Sequence, residues 1–111
     1  MALTRDFKAT VVSRVKKDPK FANALLDEAG TLFLNGDSET AKLILRDLVN
    51  ATIGFEQLAQ TVEKPAKSVH RMLSPTGNPT MTSLASIFAA LNDSMKVKMH
   101  ARAVRVRPAH A

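Results

Sequence analysis

The chain has 111 residues, of which 45% are hydrophobic and 23% are charged, as is ordinary for one small globular domain. It contains no cysteine, which excludes disulfide frameworks, thiolate nucleophiles and cysteine-based metal sites. The N-terminal residues lack the apolar run of a secretory signal, and no apolar stretch is long and unbroken enough to cross a membrane. We therefore expect a cytoplasmic protein with no membrane partner.

The net charge of +6 comes entirely from the C-terminal half. Residues 1–62 carry eight basic and eight acidic side chains, whereas residues 63–111 carry eight basic side chains and two acidic ones. This asymmetry favours a polyanionic partner, with a solvated basic surface as the alternative. The eight basic residues form two clusters, Lys64, Lys67 and Arg71, then Lys96, Lys98, Arg102, Arg105 and Arg107.

Hydrophobic spacing predicts a bundle of three helices in the first half of the chain. The first helix covers about residues 4–17, and Asp18 and Pro19 then supply a cap and a first helical position for the second. Gly36 ends the second helix, and Asp37 or Ser38 caps a third that ends near Gly54. The inward faces are Leu3, Phe7, Val11 and Val15, then Phe21, Leu25, Ala29, Leu32 and Phe33, then Ala41, Ile44, Leu45, Leu48 and Val49.

Residues 55–91 predict two short helices, a loop and a longer helix. A break at Glu63-Lys64-Pro65 separates the short helices, and the small Ala59 lets them cross closely. A loop containing Pro75, Gly77 and Pro79 follows, and Thr80 or Thr82 opens the last helix. The inward residues are Phe55, Leu58, Ala59 and Val62, then Val69, Met72 and Leu73, then Met81, Leu84, Ile87, Phe88 and Leu91.

The last segment alternates apolar and basic residues, which is the period of a strand. Met95, Val97, Met99 and Ala101 alternate with polar residues until the parity changes near Arg102-Ala103. A lone strand needs a partner, so we expect it to pair across a homodimer. The predicted fold is all-α, with five to six helices in one domain over residues 1–94, a strand over 95–106 and a flexible tail over 107–111.

The order and spacing of residues 55–92 resemble the helix-turn-helix domain of the phage-repressor (Cro-like, Xre) superfamily, whose fold is lambda-repressor-like. Two positions depart from the family pattern. Glu63 stands where the family has a glycine in the turn, so a non-glycine residue must accept a left-handed backbone. Leu73 replaces a common glutamate, which alters a local surface. The matching positions are Leu58, Ala59, Val69, Met72, Gly77-Asn78-Pro79-Thr80, Leu84, Ile87 and Leu91.

Across residues 1–105 the chain also resembles the addiction-module antidote (HigA-type) antitoxins, through Leu34-Asn35-Gly36 and the run from Arg46 to Ala51. That resemblance implies a dimer that represses its own operon and neutralises a RelE/ParE-like toxin. We place toxin contact on residues 1–54, where the alternative is that these helices only complete the core.

The helix-turn-helix resemblance implies that the helix at about residues 65–74 enters the major groove of double-stranded DNA. Ala66, Lys67 and Arg71 would then contact bases, with Ser68 and His70 at the margin. Phosphate contacts would come from Lys64, Ser74, Thr76 and Asn78. The second basic cluster is either a phosphate-binding arm or protection of a strand edge, two roles that charge alone does not separate.

Nothing in the sequence predicts an enzyme, a metal site or a cofactor. The three histidines lack a metal-ligand spacing, and the four glycines are dispersed rather than gathered in a phosphate-binding loop. The leading hypothesis is a sequence-specific DNA-binding antitoxin and repressor. The alternatives are a phage-type transcriptional regulator without a toxin, and a protein-interaction module that uses the helix-turn-helix as a scaffold.

Overall fold

The computed structural model describes the backbone of residues 2–107 and the side chains of residues 9–107. The described residues form helices and connections only, which confirms the expectation of a helical protein with up to six helices. Residues 108–111, most of the predicted tail, lie outside the described part of the chain. The helices are α1 (Ala2–Lys17), α2 (Pro19–Leu34), α3 (Ser38–Ala51), α4 (Phe55–Val62), α5 (Ala66–Met72) and α6 (Met81–Met95).

Local chemistry places most helix ends where the sequence predicts them. The Asp18 carboxylate accepts hydrogen bonds from the backbone N–H groups of Lys20 (3.1 Å) and Phe21 (3.2 Å), and Pro19 is the first residue of α2. Asp37 caps α3, and the Thr80 hydroxyl accepts from the N–H of Ser83 at the start of α6. These caps satisfy donors that the first turn of a helix leaves without partners.

One hydrophobic core joins the three N-terminal helices to the three that follow. In the first half, α3 packs against both α1 and α2, and it also contacts α4. In the second half, α4 packs against α5 and α6. The largest fully buried side chains therefore come from five of the six helices and from the connection after α5: Leu26, Leu45, Leu48, Val49, Leu58, Val69, Leu73, Ile87 and Leu91.

The predicted inward face of α2 is incomplete, and that of α6 needs one correction. Phe21 and Leu25 are half-buried and pack against the core as predicted, but the buried residues of α2 also include Ala22 and Leu26, which the prediction omitted. Met81 is 89% exposed, because it is the first residue of α6 and lies beyond the core. On α1, Val15 is buried as predicted, but the side chains of Leu3 and Phe7 lie outside those described.

The predicted C-terminal strand is wrong for the single chain. Met95 belongs to α6, which ends at a left-handed Lys96 (φ 57°), and residues 97–107 have no regular structure. We call residues 97–107 the C-terminal segment. The alternation of apolar and polar residues is nevertheless matched by alternating burial, since Val97 and Met99 are half-buried while Lys98 and His100 are exposed. A strand also needs a second strand beside it, and the described chain offers only helices.

Candidate nucleic-acid interface

The connection between α4 and α5 is a tight turn of three residues. Glu63 ends α4 in the left-handed conformation (φ 56°, ψ 47°), which agrees with the conformation expected at this position. The N–H of Glu63 donates to the carbonyl of Gln60, and the N–H of Lys64 donates to the carbonyl of Ala59 at 3.0 Å. This is the hydrogen-bond pattern of a Schellman motif, which closes a helix and redirects the chain.

Two fully buried side chains fix α5 on the core. Val69 lies in the middle of the helix and Leu73 directly follows it, and neither is exposed to solvent. The expectation that Leu73 alters a local surface is therefore wrong. The spacing of four residues puts both side chains on the same side of the helix, so its other side faces solvent.

The exposed side of α5 carries two of the three residues predicted to contact bases. Lys67 and Arg71 are exposed, and their side chains form no hydrogen bond or ion pair with any described residue. They are four residues apart, so they lie one above the other on the helix surface. Ala66 is half-buried at the start of the helix and packs against the core, so its methyl group is partly accessible.

The residues predicted to contact phosphates, or to lie at the margin of the base contacts, differ in how exposed they are. Lys64, Thr76 and Asn78 are exposed in the connections before and after α5. Ser68 is half-buried in α5. The Ser74 hydroxyl donates to the carbonyl of Arg71 at 2.7 Å, so it helps to end the helix.

His70 has a structural contact that sequence reasoning missed. Its imidazole ring stacks on the ring of Phe55, with 3.8 Å between centroids and 16° between planes. Phe55 is buried at the start of α4, so this contact ties the two short helices together. The structure thus gives His70 a role in holding α5 against α4.

Two basic residues of α3 hold the loop that follows α5, and the sequence analysis missed both. The Lys42 ammonium donates a short hydrogen bond to the carbonyl of Gly77 and a long one (3.4 Å) to that of Pro75. The Arg46 guanidinium donates an equally long bond (3.4 Å) to the carbonyl of Leu73. Lys42 is only 6% exposed. In the sequence, Lys42 and Arg46 are two basic residues one helical turn apart in a mostly apolar stretch. The same spacing is typical of a solvent-exposed helix face, so it did not indicate a buried cation.

Gly77 lets this loop lie directly on the end of α5. A Cβ atom at Gly77 would come 2.0 Å from the carbonyl oxygen of Arg71 and 2.5 Å from that of Met72. Only glycine fits at such a distance from backbone atoms. The loop that carries Thr76 and Asn78 is therefore held against the same helix that carries Lys67 and Arg71.

The basic side chains on and around α5 form a surface suited to binding an anion. Within the described residues, no three histidine, aspartate or glutamate side chains gather as metal ligands would. No helix in that part of the chain is long and apolar enough to span a membrane. Comparisons of the chain with protein-family models, with curated proteins and with solved structures found no match.

Proposed function

We propose that this chain is a sequence-specific DNA-binding regulator in which α4 and α5 form a helix-turn-helix, with α5 as the recognition helix. The observation that carries the proposal is the pair Lys67 and Arg71. These two cations lie on the exposed side of α5 without an internal partner, while Val69 and Leu73 fix its other side in the core. A rigid helix that presents free basic side chains is suited to the major groove.

Each residue type on this surface has a matching partner on DNA. Lysine and arginine donate to O6 and N7 of guanine, and the methyl group of Ala66 can contact that of thymine. Lys64, Thr76 and Asn78 lie at the two ends of α5, where they can donate to phosphate oxygens. The hydrogen bonds from Lys42 and Arg46 hold the loop next to α5. The proposed phosphate-binding residues of the loop therefore stay at a fixed distance from the proposed base-contacting residues of α5.

The proposal is tested by selecting bound sequences from a random double-stranded DNA pool and then titrating the enriched sequence with variants. Lys67→Ala and Arg71→Ala should each weaken binding by about 1–3 kcal/mol, which is about 5- to 150-fold. Binding to unrelated DNA should change much less. Lys16→Ala is the matched control, because it removes the same charge from an exposed position on α1.

Two results would contradict the DNA-binding proposal. One is a selection in which the full-length protein enriches no sequence. The other is a pair of variants, Lys67→Ala and Arg71→Ala, that bind the enriched sequence as tightly as Lys16→Ala does. Titrations must be compared at one salt concentration, since phosphate contacts make affinity depend steeply on salt.

The proposal extends to an antitoxin that represses its own operon and neutralises a RelE/ParE-like toxin, an extension that the family resemblance alone supports. Co-expression with the neighbouring open reading frame tests it. The full-length Lys67→Ala/Arg71→Ala variant should lose repression and still rescue growth, because toxin contact is placed on residues 1–54. If no neighbouring gene is toxic, the extension fails and the regulator without a toxin remains.

A further inference from the structure

A groove of about 700 Å³ lies between the end of α2, the start of α6 and residues 99–103 of the C-terminal segment. Two half-buried rings that line it, Phe33 and Phe88, meet edge to face with 5.8 Å between their centroids. Leu34 and Met81, which also line it, are 73% and 89% exposed. We call this space the α2–α6 groove. Its further apolar side chains include Leu84, Ala85 and Met99.

One wall of the groove, formed by residues 99–103, is held by side-chain packing and not by backbone hydrogen bonds. Met99 packs against the core, and its methyl carbon lies so close to α2 that a Cβ at Gly30 would come 2.6 Å from it. The backbone of residues 98–107 makes no hydrogen bond with any described residue. Such a wall can shift without breaking a hydrogen bond, and the flexible thioether of Met99 can follow it. The groove can therefore adjust to the shape of a ligand.

The electrostatic potential at this wall is positive. Arg102 contributes a guanidinium and His100 an imidazole to the lining, whereas no described aspartate or glutamate lines the groove. The Arg102 side chain is exposed and forms no hydrogen bond or ion pair with any described residue. Lys98 and Arg105, in the same segment, add to the positive potential. An anionic group is therefore the electrostatic complement of this side of the groove.

We propose that the α2–α6 groove binds a small amphipathic anion, with its apolar chain or ring against Phe33, Phe88 and Leu84 and its anionic group at Arg102. Small-molecule sites usually have volumes of about 300–1,000 Å³ and combine an apolar and aromatic lining with a few polar groups that orient the ligand. The groove has this size and this lining. The guanidinium of Arg102 can donate two parallel hydrogen bonds to a carboxylate.

Nuclear magnetic resonance of isotope-labelled methionine methyl groups tests where the ligand binds, with dodecanoate as the probe. Met81 and Met99 line the groove, whereas Met72 and Met95 do not. Dodecanoate, titrated below its micelle-forming concentration, should shift the signals of Met81 and Met99 and leave those of Met72 and Met95 unchanged. Equal shifts at all four methionines, or no shift at Met81 and Met99, would overturn the proposal.

Two matched alanine variants test the groove by calorimetric titration of the full-length protein. Ala85 and Ala89 are both exposed on α6, but Ala85 lines the groove and Ala89 does not. Ala85→Glu places a carboxylate in the groove and should weaken dodecanoate binding about fivefold or more, because like charges repel each other. Ala89→Glu changes the net charge by the same amount and should bind as the wild type does. Equal affinities of the two variants would refute the assignment of the site.

A series of ligands separates the contribution of the apolar chain from that of the charge. Each methylene added between octanoate and dodecanoate should tighten binding about fourfold where it is buried in the groove. Dodecyltrimethylammonium has the same chain length and a positive head group, so it should bind more weakly than dodecanoate. Arg102→Gln should weaken dodecanoate binding about three- to fivefold, whereas Arg105→Gln, in the same segment but outside the groove, should change it less. Equal binding of the two head groups would overturn the assignment of an anionic ligand.

All of these measurements are made without DNA, so their outcome is independent of the proposed DNA-binding function. A protein that binds dodecanoate in the groove but enriches no DNA sequence would retain the ligand site and lose only that function. A protein that enriches a DNA sequence but does not bind dodecanoate would retain the function and lose the ligand site. The groove would then be left to a larger anionic partner, such as an acidic helix of another protein.

Discussion

Replacing Lys42 by methionine tests whether the tether from α3 stabilises the loop after α5. Methionine keeps most of the apolar stem and removes the ammonium that donates to the carbonyl of Gly77. A hydrogen bond from a charged group contributes about 1.5–3 kcal/mol, and the bond to Pro75, at 3.4 Å, adds little. Because a buried lysine also carries a desolvation cost, we expect Lys42→Met to lower the free energy of unfolding by about 2 kcal/mol.

Urea unfolding followed by circular dichroism measures this loss, which corresponds to roughly 10 °C in Tm for a domain of this size. Lys16→Met is the matched control, because Lys16 is exposed on α1 and should change stability by less than about 0.5 kcal/mol. Hydrogen exchange should also show faster exchange of the Gly77 amide, which donates to the carbonyl of Ser74 in the tethered loop. Equal stability of the two methionine variants would refute the reasoning.

Three further substitutions test other contacts of the site. Gly77→Ala should destabilise the protein by about 1–3 kcal/mol in urea unfolding, because the added methyl meets backbone carbonyls; an unchanged midpoint would contradict this. Glu63→Gly should stabilise it by about 0.5–1 kcal/mol, since relief of left-handed strain exceeds the entropy that glycine adds to the unfolded chain; a loss of stability would argue against strain. His70→Ala should cost about 0.5–1.5 kcal/mol of stability through lost stacking on Phe55, and it should reduce DNA affinity less than Arg71→Ala does.

The helix ends could be predicted from sequence because their causes are local. Asp18 caps N–H groups two and three residues away, and Thr80 does so three residues away. Gly36 and Gly54 adopt the positive φ angles that suit glycine. Each of these signals is complete within a few residues, so no knowledge of the fold is needed to interpret it.

The features that the sequence did not reveal depend on contacts between distant residues. Lys42 and its acceptor at Gly77 are 35 positions apart, so nothing near Lys42 indicates a buried cation. The environment of Leu73 likewise depends on how α5 is rotated against α3 and α4. The predicted strand failed for the same reason, because alternation describes one strand of a pair and residues 2–107 contain no second strand.

The tethers from α3 also limit how the α4 and α5 pair could be moved between proteins. Lys42 and Arg46 reach carbonyls on and after Leu73, and the side chains of Leu45 and Leu48 share the core with Leu58. A chimera that carries only residues 55–92 would leave those carbonyls and that apolar surface without their partners. The smallest unit that could be moved to another protein must therefore include α3. The α4 and α5 pair does not form a unit that can be exchanged by itself.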